Sequence, residues 1–287
     1  MTNKILVIGG SNVDFIGKCD NDISLNDSNI GKVDISFGGV GHNIAQNLKL
    51  LGADVTFISA IGSDYLGGAL KKELEDLGVK VYSPKVDNKT GMYLVIHEKD
   101  GKMALGICDQ RITDDLTIDY LASLNEVIES FDYIFLDTNL PKEKIEYLLN
   151  KYSNKTIFLD VISTSKAQKI TDDIDKIDYL KCNEIEAISL FGDYLKKEFK
   201  NTLICTRGKK DIVYTKSGKF MYSEVLEEKE IINETGAGDA FFSGVIYAII
   251  NGLGIDRGIE LGKKCASLTL KVSGAINPDI KFIQNKN

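Results

Sequence analysis

The residues best suited to chemistry lie in the run Asn233-Glu234-Thr235-Gly236-Ala237-Gly238-Asp239-Ala240-Phe241-Phe242. Behind it Phe241, Val245, Ala248 and Ile249 recur at helical spacing, so a helix starts within Gly-Ala-Gly-Asp. Small residues at a helix start leave several backbone N–H groups free and let an anion come close. A carboxylate in that first turn sits at the positive end of the helix dipole, which favours its ionised form. An anion cradle beside a carboxylate suits activation of an alcohol next to a transferring phosphate. Taken alone, the run serves equally well as a glycine loop with Asp239 as a capping acid. Ile231 and Ile232, just ahead of it, are expected to end a polar strand.

A second glycine-to-helix junction is Phe37-Gly38-Gly39-Val40-Gly41-His42-Asn43, followed by the stripe Ile44, Leu48, Leu51 and a stop at Gly52. Other polar residues fall at the carboxyl ends of expected strands: Asn12, Asp14, Asp160, Asn183, Glu186 and Thr206. In open α/β sheets such ends border one ligand crevice. Asn12 and Asp14 alternate with Val13, so both could hydrogen-bond sugar hydroxyls from one side, or serve a local turn. Asp109 and Arg111 follow a strand and read as surface charges or cleft residues. Arg207 lies at a strand end, one of only three arginines in the chain. There is no Gly-x-x-x-x-Gly-Lys-[Ser/Thr] loop, and no Gly-x-Gly-x-x-Gly follows the first strand, which argues against a dinucleotide oxidoreductase. The set suggests phosphoryl transfer from a nucleotide to a hydroxyl.

These residues need a parallel sheet to hold them. Short apolar runs at 4–8, 55–61, 133–137, 156–160, 179–183 and 202–206 alternate with helical patterns such as Leu66, Leu70, Leu74 and Leu77, or 142–152. A last helix is expected from about 257 to 273, and a hairpin at 212–222 across Ser217-Gly218. The segments 90–97 and 102–107 flank Asp100-Gly101, a hairpin turn signal. A hairpin between βα units belongs to a separate small sheet, paired with part of 15–37 and placed as a lid. The expectation is one α/β domain over 1–287, a three-layer αβα sandwich with a small β-sheet lid from about 13–37 and 90–110.

The 287 residues are 43% hydrophobic, enough for a sizeable core, and the formal net charge of -7 with no basic patch argues against nucleic acid. Five scattered cysteines without a Cys-x-x-Cys pair point to a reducing, cytoplasmic setting rather than disulfides or zinc. Two distant histidines, His42 and His97, make a histidine metal site or a Ser-His-Asp triad a poor reading. No basic and apolar leader opens the chain, and no apolar run reaches the about 18–20 residues that span a bilayer.

The run from Gly38 to Asn43, with Ala45, Gly52 and Gly62, resembles the first signature of the ribokinase-like (PfkB) carbohydrate kinases. Asn233 to Gly244 resembles the second, in the expected order, and the resemblance covers nearly the whole chain. It implies transfer of a phosphoryl group from ATP to an alcohol, with Asp239 as the base and Gly236, Ala237 and Gly238 as the anion hole. Asn12, Asp14, Gly38, Gly39 and Asn43 would hold the sugar. Asn183 and Glu186 would position Mg²⁺-bound phosphates, in part through water. Thr206, Arg207 and Gly208 would lie along the nucleotide, and Asn277 beside the adenine. The run Gly-Gly-Val-Gly-x-Asn-Ile-Ala-x-Asn-Leu, the segment ending at Asp109 and the Asn277-Pro278-Asp279 tail are similar to the branch acting on pseudouridine. In that case Thr90 and Asp109 would meet the base or ribose. Ribose, a ketohexose and a purine nucleoside are the alternative acceptors. A non-catalytic sugar- or nucleotide-binding regulator is a further alternative, disfavoured by the intact Gly-Ala-Gly-Asp. His42 stands where a basic residue near a phosphate is expected, and Asn233 and Glu234 replace an Asp-Thr-like pair, which leaves a K⁺ site open. A homodimer through the lid edge is expected, since exposed sheet edges are usually covered.

Overall fold

In the computed structural model, residues 3–285 are described. The chain begins with β1 (Lys4–Ile8) and passes at once into a small antiparallel pair, β2 (Asn12–Cys19) and β3 (Gly31–Gly38). Helix α1 (Val40–Leu50), β4 (Asp54–Ile58), α2 (Tyr65–Asp76) and β5 (Lys80–Tyr82) return it to the main sheet. The chain then leaves again for β6 (Met92–His97) and β7 (Met103–Asp109). After α3 (Ile118–Ser123) and α4 (Asn125–Glu129) the alternation is regular: β8 (Tyr133–Asp137), α5 (Lys142–Lys151), β9 (Thr156–Asp160), α6 (Thr164–Ala167), β10 (Tyr179–Asn183), α7 (Glu184–Phe191), β11 (Thr202–Thr206). The hairpin β12 (Ile212–Lys216) and β13 (Lys219–Ser223) precedes α8 (Ala237–Ile250) and α9 (Gly254–Thr269).

The main sheet has nine strands in the order β13-β12-β11-β10-β9-β8-β1-β4-β5. It is parallel from β5 to β11, and the last hairpin is antiparallel. A strand buried on both faces must be apolar along its buried length, and β1 is from Ile5 to Ile8: Leu6 and Ile8 face one core with α3–α7, Ile5 and Val7 the other with α1, α2 and α8. The result is a three-layer αβα sandwich. The chain goes to one side of β1 first and to the other side from β8 onward, so the direction of winding switches between β1 and β8, where such sheets open a crevice.

The small sheet runs β3-β2-β6-β7, with β2 and β6 parallel and the outer pairs antiparallel. One face is an apolar surface. Ile35, Phe15, Leu94 and Ile107 form one cross-strand row, and Val33, Gly17, Ile96 and Leu105 the next. Val33, Ile35, Leu94, Met103, Leu105 and Ile107 are exposed.

Two expectations differ from the structure. The stretch 224–234 is not a strand. Ile231 and Ile232 are exposed, and the segment is tied to the end of α9 by Ile232 N–H donating to the Leu270 carbonyl at 2.8 Å. The last helix spans Gly254–Thr269 rather than 257–273, because its end tightens into turns, with Lys271 N–H on Leu268 O and Val272 N–H on Thr269 O.

Candidate active site

Gly236 caps α8 in the left-handed conformation (φ 77°), with no side-chain cap bond. Any Cβ there would meet the Ala275 carbonyl oxygen and stand 2.7 Å from Ala275 Cα. Glycine alone fits, so the 233–239 loop lies tight against the segment after α9, and the first N–H groups of α8 lack helical acceptors. Asp239, in that first turn, is buried and its Oδ2 accepts a 2.7 Å hydrogen bond from Asn43 Nδ2 on α1. The second junction is built alike. Gly39 caps α1 at φ 95°, where a Cβ would come 2.7 Å from Ser11 Cα, and His42 N–H donates to the Gly10 carbonyl at 3.2 Å. The two glycine junctions therefore bring Asn43 and Asp239 together from positions 196 residues apart.

Across the carboxyl ends of β8, β9 and β10 lies a row of buried charge. Asp137 pairs in register with Asp160, and Asp160 with Lys181. Lys181 Nζ donates to Asp160 Oδ2 at 2.9 Å, and the same ammonium would be 3.1 Å from a Cβ on Gly238. Asp137 accepts from the Gly10 and Asn139 amides at 2.9 and 2.8 Å. Burial is the main cause that raises the Asp239 carboxyl from 3.8 to about 7; Lys181 and Asn43 pull it back, and Asp160 and Asp137 push it further up. Burial likewise lifts Asp137 to about 6 against its two amide donors. Burial opposes the Lys181 charge, but Asp160 and Asp239 outweigh it and hold the ammonium above its ordinary range. Lys181 and Asp137 are absent from the sequence-based site. Their strands read as ordinary buried strands, and only register places them beside Asp160.

Asn12 and Asp14 open β2 and are bonded to each other through Asn12 Nδ2 and Asp14 Oδ1. Burial raises Asp14 to about 6, opposed by the Asn12 amide and the nearby His42. Gly38, directly opposite Asn12 in the β2–β3 pair, has no room for a side chain beside the Asp14 carboxylate. His42 lies close enough to act on Asp14, but its ring nitrogens face Asn43 and Glu73. Its ring is fully buried, with Nε2 3.2 Å from Glu73 Oε2 on α2 and Nδ1 3.3 Å from Asn43 Oδ1.

The remaining expected residues each have partners of their own, and Glu186 lies close enough to the buried row to feel Lys181 and Asp160. Thr90 is buried, and its polar atoms are committed to the start of α2: its N–H and hydroxyl donate to Asp64 at 2.6 and 3.1 Å, and its hydroxyl accepts from Gly62 N–H at 3.2 Å. Asp109 ends β7 with its side chain 47% exposed, in a bidentate pair with Arg111 at 2.9 and 2.5 Å. The Arg111 bonds hold its carboxyl down at about 2. Asn183 and Glu186 form a capping box on α7. The Asn183 side chain accepts from Glu186 N–H at 2.9 Å, and Glu186 accepts from Asn183 N–H at 2.8 Å and Nδ2 at 2.7 Å. Thr206 Oγ1 donates to the Cys182 carbonyl at 3.4 Å. Arg207 Nε donates to the Asp211 carbonyl at 2.8 Å, and Gly208 follows at φ 62° with open space around it. Asn277 is buried and pins its own loop, donating to Leu268 O at 2.7 Å and accepting from Asp279 N–H at 2.9 Å. Asn233 donates to Ser273 O at 2.7 Å and accepts from Thr235 N–H at 3.0 Å. Among the described residues no group of three or more His, Cys, Asp or Glu is arranged to hold a metal, and no helix is long and apolar enough to cross a membrane.

The chain is 31% identical to pseudouridine kinase of Escherichia coli (strain K12) over 97% of this chain and 94% of that one. It superposes on the solved structure of a carbohydrate kinase from Agrobacterium tumefaciens with a TM-score of 0.85 and 28% identity, covering 98% and 96% of the two chains. The fold is also that of Arabidopsis thaliana ribokinase, solved with ribose and ATP, at a TM-score of 0.81 and 20% identity over the full length of both. The model of the pfkB family carbohydrate kinases matches residues 2–281, and the chain belongs to that family.

Proposed function

We propose that this protein transfers the γ-phosphoryl group of ATP to a hydroxyl of a nucleoside, with pseudouridine as the acceptor and pseudouridine 5′-phosphate as the product. The observation that carries the reading is Asp239: a buried carboxylate in the first turn of α8, bonded to Asn43 and raised to about 7. A base poised there takes the acceptor's hydroxyl proton at neutral pH. The acceptor oxygen then bonds to phosphorus as the bond to the ADP oxygen breaks. Charge on the transferring group meets the N–H groups that open α8 and the Lys181 ammonium, donors set in place before the reaction. Asn12, Asp14 and Asn43 hold the sugar. Thr206, Arg207, Gly208 and Asn277 line the way for the nucleotide.

The donor set bears on Mg²⁺. Glu186 is buried and raised, chiefly by that burial, and it is engaged with Asn183. One such carboxylate suits an ion held mainly by phosphate oxygens and water, the habit of Mg²⁺. Bound there it would offset charge on the phosphates. Asn233 and Glu234 leave K⁺ dependence to be measured.

The small sheet acts as a lid that excludes water, a competing acceptor. Its apolar outer face is covered by a second copy of this chain, as exposed patches of this kind mark interaction sites. Five free cysteines suit a reducing cytoplasm. Pseudouridine is favoured over ribose, a ketohexose or a purine nucleoside by the relative at 31% identity.

The test is ADP release with Mg²⁺ and K⁺ over an acceptor panel. Pseudouridine should give the highest kcat/KM. Failure of pseudouridine, ribose, fructose and purine nucleosides alike would leave a non-catalytic binder as the reading. Asp239→Asn should lower kcat at least about 10²-fold with little change in ATP binding.

A further inference from the structure

We propose that His42 is a positioning residue that locks the Asn43 amide toward Asp239 by donating hydrogen bonds from both ring nitrogens, to Asn43 and to Glu73. Asn43 Nδ2 donates to Asp239 Oδ2 at 2.7 Å, so the other end of that amide, Oδ1, can only accept. Oδ1 faces His42 Nδ1 at 3.3 Å. On the far side of the ring, Nε2 is 3.2 Å from Glu73 Oε2, and a carboxylate also only accepts. A ring protonated on one nitrogen would aim a lone pair at one of these oxygens. Protonated on both, it satisfies both, and its positive charge lies between the carboxylates of Asp14 and Glu73.

The geometry gives this bond pair a task. The His42 side chain is 1% exposed and that of Glu73 39%, so a chain of bonds runs from the rim of α2 through His42 and Asn43 to Asp239. Were Asn43 to turn over, its carbonyl would face the Asp239 carboxylate, and the acceptor would lose an ordered base. The backbone N–H of His42 bonded to Gly10 keeps the ring's own helix against the end of β1. The proposal rests on the reading of Asp239 as the base.

The chain has only two histidines, which makes the ring directly readable. In ¹⁵N NMR spectra of the protein, assigned with His97→Gln, both His42 ring nitrogens should appear protonated at pH 7. A neutral ring, with one nitrogen unprotonated, overturns the proposal whatever Asp239 does. Glu73→Ala, on the half-exposed rim, should return Nε2 to the unprotonated range; an unchanged ring signal overturns it too. In kinetics, His42→Gln should lower kcat about tenfold, the scale of one hydrogen bond that holds the base's partner in place, with the ATP KM unchanged. The double variant with Asp239→Asn should be no slower than Asp239→Asn alone, since a positioning residue has nothing left to position. Multiplying losses overturn the proposal. Near-normal activity of Asp239→Asn removes the base, and with it the catalytic role of His42, while the ring spectrum still reads the bonding by itself.

Discussion

Replacing Gly236 by alanine separates two effects that glycines at positive φ usually combine. At φ 77° an alanine costs roughly 1–2 kcal/mol from its own backbone. Its Cβ would also overlap three backbone atoms of Ala275: the carbonyl oxygen, Cα at 2.7 Å and the carbonyl carbon at 2.8 Å. None of these can rotate away, so either the loop at 275 or the first turn of α8 must shift, at roughly 1–3 kcal/mol more. The total is about 2–5 kcal/mol. Gly101 supplies the comparison. It has φ 87° in the turn between β6 and β7, with nothing within 4 Å of a Cβ, so Gly101→Ala should lose only the backbone part, about 1–2 kcal/mol. Urea titrations of both variants give the two values at a common m. ADP release gives the functional half. Gly236→Ala should lose kcat because the N–H groups of α8 and Asp239 shift together, and Gly101→Ala should keep it. Equal destabilisation of the two variants, or a full kcat in Gly236→Ala, would refute the claim that this glycine holds the cradle.

Activity and stability should respond to pH in opposite directions. Asp239 must be ionised to act, so kcat/KM should rise as pH climbs through about 7, and a profile flat from about pH 5.5 to about 8 would contradict the assigned base. The same carboxyl holds its proton more tightly folded than unfolded. Its stabilising contribution is complete below the ordinary 3.8 and is lost as pH rises through about 7, a fall measurable by denaturation across that window. Asn47 on α1 is fully buried, and among the described residues neither atom of its amide has a partner, so Asn47→Leu should gain about 1–3 kcal/mol in thermal or urea unfolding. A loss of stability there would point to a polar partner. Leu105→Glu on the outer face of the small sheet should convert a dimer to a monomer of 31.7 kDa in light scattering, and a wild type already monomeric would refute the covered face. Asp109→Ala should raise the KM for the acceptor with little effect on kcat, and an unchanged KM would take Asp109 out of the pocket.

The places of Gly236 and Asp239 at the start of α8 were legible in the sequence because Phe241, Val245, Ala248 and Ile249 recur at helical spacing behind them, and the small sheet because Asp100-Gly101 marks a turn between two apolar runs. Lys181 and Asp137 were not. A lysine in Tyr-Leu-Lys-Cys-Asn could point to either face, and the register with Asp160 that decides it is a property of three strands. The 224–234 stretch misled for the opposite reason. Its adjacent isoleucines close a polar run as the end of a strand would, but β13 ends at Ser223 and no strand follows it in the sheet order, so largely exposed coil runs from there to the start of α8. Thr90 could be read only as a polar residue ahead of a strand, because its partners, Asp64 and Gly62, lie about 26 residues back at the start of α2.

The chain crosses between the large and small sheets four times, at 9–12, 38–40, 83–92 and 109–112, and the proposed sugar-holding residues stand at those crossings. Asp14 rides on β2, whereas Asn43 and Asp239 belong to the helical layer. A sugar gripped by all three would brace one body against the other. Acceptor binding should therefore register far from the sugar, as slowed amide hydrogen exchange along 31–36 and 103–107, stretches that need never touch the ligand.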